Sequence, residues 1–256
     1  MNSRIVIICT GSQEDVKPFA ELAKGLQAFG HSVILIAPDT SVESSSDTLS
    51  IVSSSVNIPH FVGDQITDLA STPTDLLAII RMMRQVDYSP VLRMTDEMLI
   101  ASEGAELIIS HVATSIFAQS IAESLGIPFF SAVPDPRMSQ RIFPDELSSS
   151  RFDFSGMYNR VTGRVSGYVL YQMFAPVVNT FRTETLKLKP HSALSYQEAG
   201  MRLQPTISAT KAVIRNIPKS WDRNICVTQS WNTRQGFEQA IQAIETHTQS
   251  WKLASH

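Results

Sequence analysis

Short apolar runs alternate with amphipathic segments along most of the chain. The opening run, Arg4–Cys9, is rich in β-branched residues, which is typical of a parallel strand covered on both faces. Apolar positions then recur at helical spacing from Pro18 to Phe29, and Gly30 ends the pattern. A second apolar run occupies Ser32–Ala37. Strand, loop, helix and strand in this order predict a βαβ unit, whose right-handed crossover favours a doubly wound sheet.

The same alternation continues beyond the first unit. A weak strand is predicted at Leu49–Val52 within a serine-rich loop, a long helix over Thr74–Ser102, and an aromatic-rich helical stretch over Gly156–Leu188. The remaining predicted elements are the strands Glu106–Ser110, Pro128–Val133, Thr206–Ala209 and Asn224–Thr228, the helix Ser115–Leu125, and a terminal helix over Gln235–Trp251. The pattern predicts an α/β, Rossmann-like, doubly wound parallel sheet followed by a C-terminal amphipathic helix.

The composition of the chain argues against some classes of function. The 256 residues are 43% hydrophobic and 18% charged, which fits one large α/β domain. A net charge of −3 and scattered Lys and Arg residues argue against a nucleic-acid partner. Cys9 and Cys226 lie in apolar runs without a CxxC spacing or a leader ahead of them, which predicts reduced thiols in a cytoplasmic protein. No apolar stretch approaches the roughly 20 residues that span a bilayer, so membrane contact is expected to be peripheral if it occurs.

An ordered series of motifs resembles the sterol and antibiotic glucosyltransferases. The series opens with Thr10-Gly11-Ser12-x-x-Asp15-Val16-x-Pro18-Phe19, continues with Ile121-Ala122-Glu123-x-Leu125-Gly126-Ile127-Pro128-Phe129 and Pro134-x-Pro136-x-Met138, and reaches Asn179-x-x-Arg182 and Val227-Thr228-x-x-Trp231. This resemblance implies a GT-B glycosyltransferase in which residues 1–231 form the N-terminal, acceptor-binding domain. Residues 232–256 then resemble the tail helix that packs back on this domain.

Two departures from the family pattern alter what the resemblance implies. Glu14 stands where the family has glycine at a tight bend, and a glutamate resists the backbone angles and close approaches that glycine allows. Gln229-Ser230 replace the family's Gly-Tyr, and about 25 residues follow Trp231, too few for a nucleotide-sugar domain. We therefore expect a truncated enzyme that transfers sugar only with a separate donor-domain chain.

Three residues are candidates for acid-base chemistry. The resemblance places Asp15 where a carboxylate could take the proton of an acceptor hydroxyl, although it could instead cap the following helix. Glu14 could hold a proton and act as an acid if a ligand excludes water, or it could simply be solvated. His111 ends a predicted strand at the expected ligand crevice, beside Thr114. It could contact a ligand or act as acid or base, or it could merely form a hydrogen bond at a helix entry.

Other candidates predict a hydrophobic ligand of the sterol or terpenoid kind. Asp135 and Arg137 flank Pro136 after a strand and could orient a polar group, although solvated charges would look the same. The candidate contact residues are Ser12, Met82, Met83, Phe129, Met138, Tyr168 and Tyr171, several of which core packing would also explain. Motifs for NAD, ATP and zinc are absent from the sequence, so no cofactor and no metal are predicted.

Three functions remain open at this point. The first is the acceptor half of a glucosyltransferase that works with a separate donor-domain chain. The second is a repurposed enzyme that isomerises or cyclises a hydrophobic natural product by acid-base catalysis with Asp15, Glu14 or His111. The third is a lipid carrier or pseudo-glycosyltransferase that binds a partner or forms a homodimer through an exposed apolar face.

Overall fold

The computed structural model describes residues 3–39, 49–58, 61, 84–133, 171–172, 174–197, 206–210, 225–231 and 233–254. The strands are β1 (Arg4–Ile8), β2 (Ser32–Pro38), β3 (Ser50–Ser54), β4 (Leu107–His111), β5 (Phe129–Val133), β6 (Thr206–Thr210) and β7 (Ile225–Gln229). The helices are α1 (Gln13–Ala28), α2 (Ser89–Ala101), α3 (Ser115–Leu125), α4 (Ala193–Gln197) and α5 (Arg234–Ala254). A 3-10 turn at Val112–Thr114 joins β4 to α3, and a π-helical turn covers Phe181–Thr185.

The described strands form one parallel sheet in the order β3-β2-β1-β4-β5-β6-β7. The order reverses at β1, which pairs with β2 on one side and with β4 on the other. Ligands of open α/β sheets bind outside the carboxyl ends of the strands at such a reversal. The predicted Rossmann-like α/β fold is therefore confirmed. A ligand site is expected at the carboxyl ends of β1 and β4.

Helices cover both faces of this sheet. Along β1, Ile5 and Ile7 pack with α1 and α5, whereas Val6 and Ile8 pack with α2 and α3 on the other face. The same alternation separates Ile108 from its neighbours on β4. Because β1, β4 and β5 are buried on both faces, they appear in sequence as continuous apolar runs, which is why these strands could be predicted.

Helix α1 begins earlier than predicted. It starts at Gln13 rather than near Pro18, and Pro18 lies inside the helix. The start is fixed by Ser12, whose backbone N–H donates to the Asp15 carboxylate three residues ahead at 2.8 Å. This reach-back bond satisfies an otherwise free amide at the helix start, so the acidic residues lie in the first turn instead of in a loop.

Of the helix predicted over Thr74–Ser102, the part from Ser89 to Ala101 is confirmed, and the part at residues 84–88 is wrong. Residues 84–88 are turn and coil, and α2 begins only at Ser89, with Pro90 in its first turn. The Asp87 carboxylate accepts hydrogen bonds from the Ser89 N–H at 2.9 Å and from the Ser89 hydroxyl at 2.6 Å. Proline lacks an N–H and fits a first helical turn, so this segment starts a new helix.

Arg182 ties the π-helical turn to α3. Its guanidinium is 4% exposed and donates to both oxygens of the Glu123 carboxylate, at 2.8 and 3.1 Å. The same group donates to the Ser120 hydroxyl at 3.0 Å and to the Lys189 carbonyl at 2.9 Å. Each of these bonds is internal to the domain. The Asn179-x-x-Arg182 motif therefore contributes to the architecture on this face of the sheet.

The terminal helix α5 docks on α1 through a glycine, and its predicted existence is confirmed. A Cβ at Gly25 of α1 would lie 2.0 Å from a ring carbon of Phe237, which is nearly buried. The Phe237 ring also meets the Phe29 ring at a centroid distance of 5.4 Å. Neither α5 nor any other helix in the described ranges has the length and apolar character needed to cross a membrane.

The contribution of the Gly25–Phe237 contact to stability can be tested by substitution. We expect Gly25→Leu to lower the free energy of unfolding by about 1–3 kcal/mol, because the added side chain overlaps the Phe237 ring in a packed interface. Lys24→Leu is the matched control, since Lys24 is exposed on the same helix and should change stability little. The measurement is urea unfolding. In a Phe237→Ala background the Gly25→Leu penalty should shrink, and an undiminished penalty there would rule out this steric cause.

Candidate functional site

The loop after β1 is held by the segment after β3. The Thr10 hydroxyl oxygen accepts from the Ile58 N–H at 3.0 Å, and the Asn57 side-chain amide donates to the Gly11 carbonyl at 2.8 Å. Asn57 was not identified from the sequence, because it follows a serine-rich stretch without periodicity. These bonds fix the backbone that leads into the first turn of α1.

Gly11 brings the Asp15 carboxylate close to the backbone. The φ angle of Gly11 is +114°, which residues with a side chain rarely adopt. A Cβ at this position would lie 2.5 Å from Asp15 Oδ2. The same oxygen accepts from the Ser12 N–H and from the Ser12 hydroxyl, each at 2.8 Å. Asp15 is half-buried, whereas Glu14 beside it is exposed. The structure therefore holds one carboxylate in a fixed orientation and leaves the other in solvent.

His111 ends β4, and it is close enough to Asp15 for the carboxylate charge to act on its ring. Its side chain is 1% exposed, and its ring meets the Phe19 ring at a centroid distance of 5.6 Å. Phe19 follows Asp15 by one helical turn, so both side chains lie on the face of α1 that covers the sheet. The carboxylate from the β1 side and the imidazole from the β4 side are thus brought together at the point where the strand order reverses.

The electrostatics of His111 are dominated by burial. Removal from water lowers the pKa of the imidazole to about 4, and the negative charge of Asp15 opposes this lowering. The ring nitrogen Nδ1 accepts the Ala113 N–H at 3.2 Å. The other nitrogen, Nε2, has no hydrogen-bond partner in the part of the chain that the structure describes. His111 is therefore a neutral ring at physiological pH, with one polar atom unused.

The other predicted contact residues are distributed more widely. Thr114 is buried beside His111, but its hydroxyl pairs with Ser110 at 2.9 Å and with the His111 carbonyl at 3.1 Å. Phe129 is the first residue of β5, so it lies in the core away from the carboxyl edge. The Tyr171 hydroxyl donates to the His191 carbonyl at 3.2 Å, in a separate cluster. Met82, Met83, Asp135, Arg137, Met138 and Tyr168 lie outside the described residues.

Sequence reasoning did not foresee the aromatic support beneath Asp15. Phe19 meets the buried Trp231 ring at 5.8 Å, and the Trp231 indole N–H donates to the Thr228 hydroxyl at 2.9 Å. The Val227-Thr228-x-x-Trp231 motif therefore packs under the same helix that carries Asp15. Among the described residues, no three His, Cys, Asp or Glu side chains come together as a metal site.

The chain as a whole is similar to known glycosyltransferases. No protein-family model matches the chain. UDP-sugar-dependent glycosyltransferase 52 of Dictyostelium discoideum is 25% identical over 249 residues, which cover 90% of this chain and 14% of that protein. A sterol 3-beta-glucosyltransferase of Debaryomyces hansenii is 25% identical over 185 residues, which cover 71% of this chain and 11% of that protein. The chain thus spans only a small part of the length of these relatives.

A solved structure agrees with the fold. CalG4, the calicheamicin glycosyltransferase, superimposes with a TM-score of 0.52 at 10% sequence identity, and the match covers 90% of this chain and 53% of that one. At this identity the likeness shows the fold alone. The resemblance drawn from the ordered motifs is confirmed by the curated relatives. This chain is a homologue of the UDP-sugar-dependent and sterol 3-beta-glucosyltransferases and has the Rossmann-like α/β fold of the GT-B glycosyltransferases.

Proposed function

We propose that this chain forms the acceptor side of a glycosyl-transfer site and binds a hydrophobic alcohol at the carboxyl edge of β1 and β4. The observation that carries the proposal is the pairing of a fixed, half-buried Asp15 carboxylate with the buried His111 ring at the reversal of strand order. This edge is where open α/β sheets bind ligands.

Asp15 takes the part of general base in this proposal. An alcohol attacks an anomeric carbon poorly until its proton begins to leave, and a carboxylate within hydrogen-bond reach can accept that proton. The carbon–oxygen bond to the sugar then forms as the bond to the nucleotide diphosphate breaks. Two hydrogen bonds from Ser12 and the absence of a side chain at Gly11 keep the carboxylate in one orientation. A fixed base needs little reorganisation when the reaction occurs.

Two observations support a hydrophobic alcohol as the class of acceptor. The Debaryomyces hansenii relative is named for transfer to the 3β position of a sterol. In this chain, the buried rings of Phe19 and Trp231 pack against each other, and Phe19 lies one helical turn after Asp15 and contacts the His111 ring. We therefore propose a sterol-like or terpenoid-like alcohol as the acceptor.

The sugar donor is proposed to bind to a domain beyond the described residues. The Dictyostelium discoideum relative is named for its dependence on UDP-sugars, and this chain covers 14% of that protein. At the site itself, Glu14 adds a second, exposed carboxylate beside Asp15. Two neighbouring negative charges do not favour the diphosphate of a nucleotide sugar. Sugar transfer therefore depends on a nucleotide-sugar domain that completes the cleft.

Native mass spectrometry of the purified chain tests this proposal. The chain is incubated with a 3β-hydroxysterol, with a terpenoid alcohol and, separately, with UDP-glucose. We expect an alcohol complex and no nucleotide complex, with glucoside formed only after a donor domain is added. Binding of UDP-glucose by the chain alone would contradict the proposal that the sugar donor binds to another domain. Conversion of the alcohol without any nucleotide sugar would favour a rearranging enzyme instead, and failure to bind any alcohol would overturn the proposal.

A further inference from the structure

The hydrogen bond at Nδ1 fixes the tautomer of His111. A backbone N–H can donate only to a ring nitrogen that carries a lone pair, and the Ala113 N–H donates to Nδ1 at 3.2 Å. In a neutral imidazole the single proton then resides on the other nitrogen. Nε2 of His111 is therefore an N–H donor, and it has no lone pair with which to accept a proton.

This Nε2–H donor is buried and has no partner among the described residues. His111 is 1% exposed, and its ring is covered by Phe19. Two polar groups nearby are already engaged: the Thr114 hydroxyl donates to the His111 carbonyl, and Asp15 Oδ2 accepts two bonds from Ser12. Buried donors are nearly always paired, so an unpaired donor beside a candidate ligand site indicates a missing ligand atom.

We propose that His111 Nε2–H donates a hydrogen bond to the hydroxyl oxygen of the acceptor alcohol, the same oxygen whose proton passes to Asp15. This inference rests on the proposed acceptor site and adds a recognition element to it. A hydroxyl oxygen carries one proton and two lone pairs, so it can donate to Asp15, accept from His111 and keep one lone pair for attack. His111 is then a ligand-binding residue and not the base of the reaction.

The arrangement selects for alcohols. An ammonium group has no lone pair and cannot accept from Nε2–H, and a hydrocarbon offers neither donor nor acceptor. A site with a buried donor rejects a ligand that leaves that donor unpaired. The contribution of His111 to binding should therefore be present for an alcohol and absent for the matching amine or hydrocarbon, even when the hydrophobic bodies are identical.

Binding of three probes with one sterane skeleton tests this inference. The probes are cholestanol, 3-aminocholestane and cholestane, and the variants are His111→Phe, which removes the N–H, and His111→Gln, which keeps an N–H donor. We expect His111→Phe to weaken cholestanol binding about tenfold and to leave cholestane binding unchanged. His111→Gln should recover part of the loss. Equal losses for cholestanol and cholestane would mean that His111 only packs, and would overturn the inference while leaving the acceptor site in place.

A measurement on the unmutated protein does not depend on the folding of variants. Two-bond proton–nitrogen correlation spectra of the histidine-labelled chain should show Nε2 of His111 protonated and Nδ1 unprotonated, with the Nε2 resonance shifting when cholestanol is added. An Nδ1-protonated ring would overturn the inference. So would a shift that responds to Phe19→Leu but not to cholestanol, because the donor would then point at the aromatic face. If no probe binds the unmutated chain, both this inference and the acceptor site fail.

Discussion

Asp15→Asn should lower kcat/KM for sugar transfer to a 3β-hydroxysterol by about 10²–10⁴-fold, while the affinity for the sterol changes little. The amide has nearly the shape of the carboxylate, and its oxygen can still accept from the Ser12 N–H, so the first turn of α1 is preserved. The amide cannot take a proton from the acceptor hydroxyl. The assay uses an enzyme that includes the nucleotide-sugar domain, with saturating nucleotide sugar, so that the chemical step on the acceptor side is measured.

Glu14→Gln is the matched control for this experiment. Glu14 precedes Asp15 in the same helical turn, and Glu14→Gln removes the same charge as Asp15→Asn. The Glu14 side chain, however, is exposed. Surface substitutions of this kind change local energetics little, so activity should remain within a few-fold of that of the unmutated enzyme. Comparable losses in the two variants would indicate a general effect of charge at this rim. An Asp15→Asn variant with full activity would place the base elsewhere.

The centre of the sheet could be predicted because β1, β4 and β5 are buried on both faces. β1 and β4 each appear as unbroken apolar runs, and each opens a strand-helix-strand unit whose crossover makes it parallel to the next strand, β2 or β5. The prediction of one continuous helix over Thr74–Ser102 failed at residues 84–88 because the apolar positions continue across Asp87 and Pro90. At these residues, side-chain hydrogen bonds and the missing N–H of proline mark the start of a helix. Periodicity measures the spacing of apolar residues and is insensitive to such local hydrogen bonding.

Only part of the candidate site could be predicted from the sequence. The strand-end rule located His111, and the motif series located Asp15, since both signals are local in the chain. Asn57 could not be found, because its bond to the Gly11 carbonyl depends on how β3 lies beside β2. The role proposed for His111 also needed the structure, since only the bond from Ala113 fixes which ring nitrogen carries the proton.

Acid should destabilise this protein through two buried histidines. Burial lowers the pKa of His111 to about 4, against the Asp15 charge, and lowers the pKa of His191 to about 4, with Arg182 acting in the same direction and Glu123 opposing it. In the unfolded chain a histidine titrates near pH 6.5, so between pH 6.5 and 4 the unfolded state binds more protons than the folded state. The stability present above pH 6.5 is therefore lost as the pH falls towards 4, by about 3 kcal/mol for each ring.

Urea unfolding at a series of pH values between 7.5 and 4.5 measures this loss. Replacing either ring, by His111→Phe or His191→Gln, should reduce the pH dependence by about half, and the double variant should be nearly flat over this range. His31→Gln is the matched control, because His31 is only partly buried, and it should keep the full pH dependence. A double variant that still loses stability as steeply as the unmutated protein would show that other groups, and not these two rings, control its response to acid. A loss that disappears with His111→Phe alone would instead assign the acid sensitivity to the ring beside Asp15.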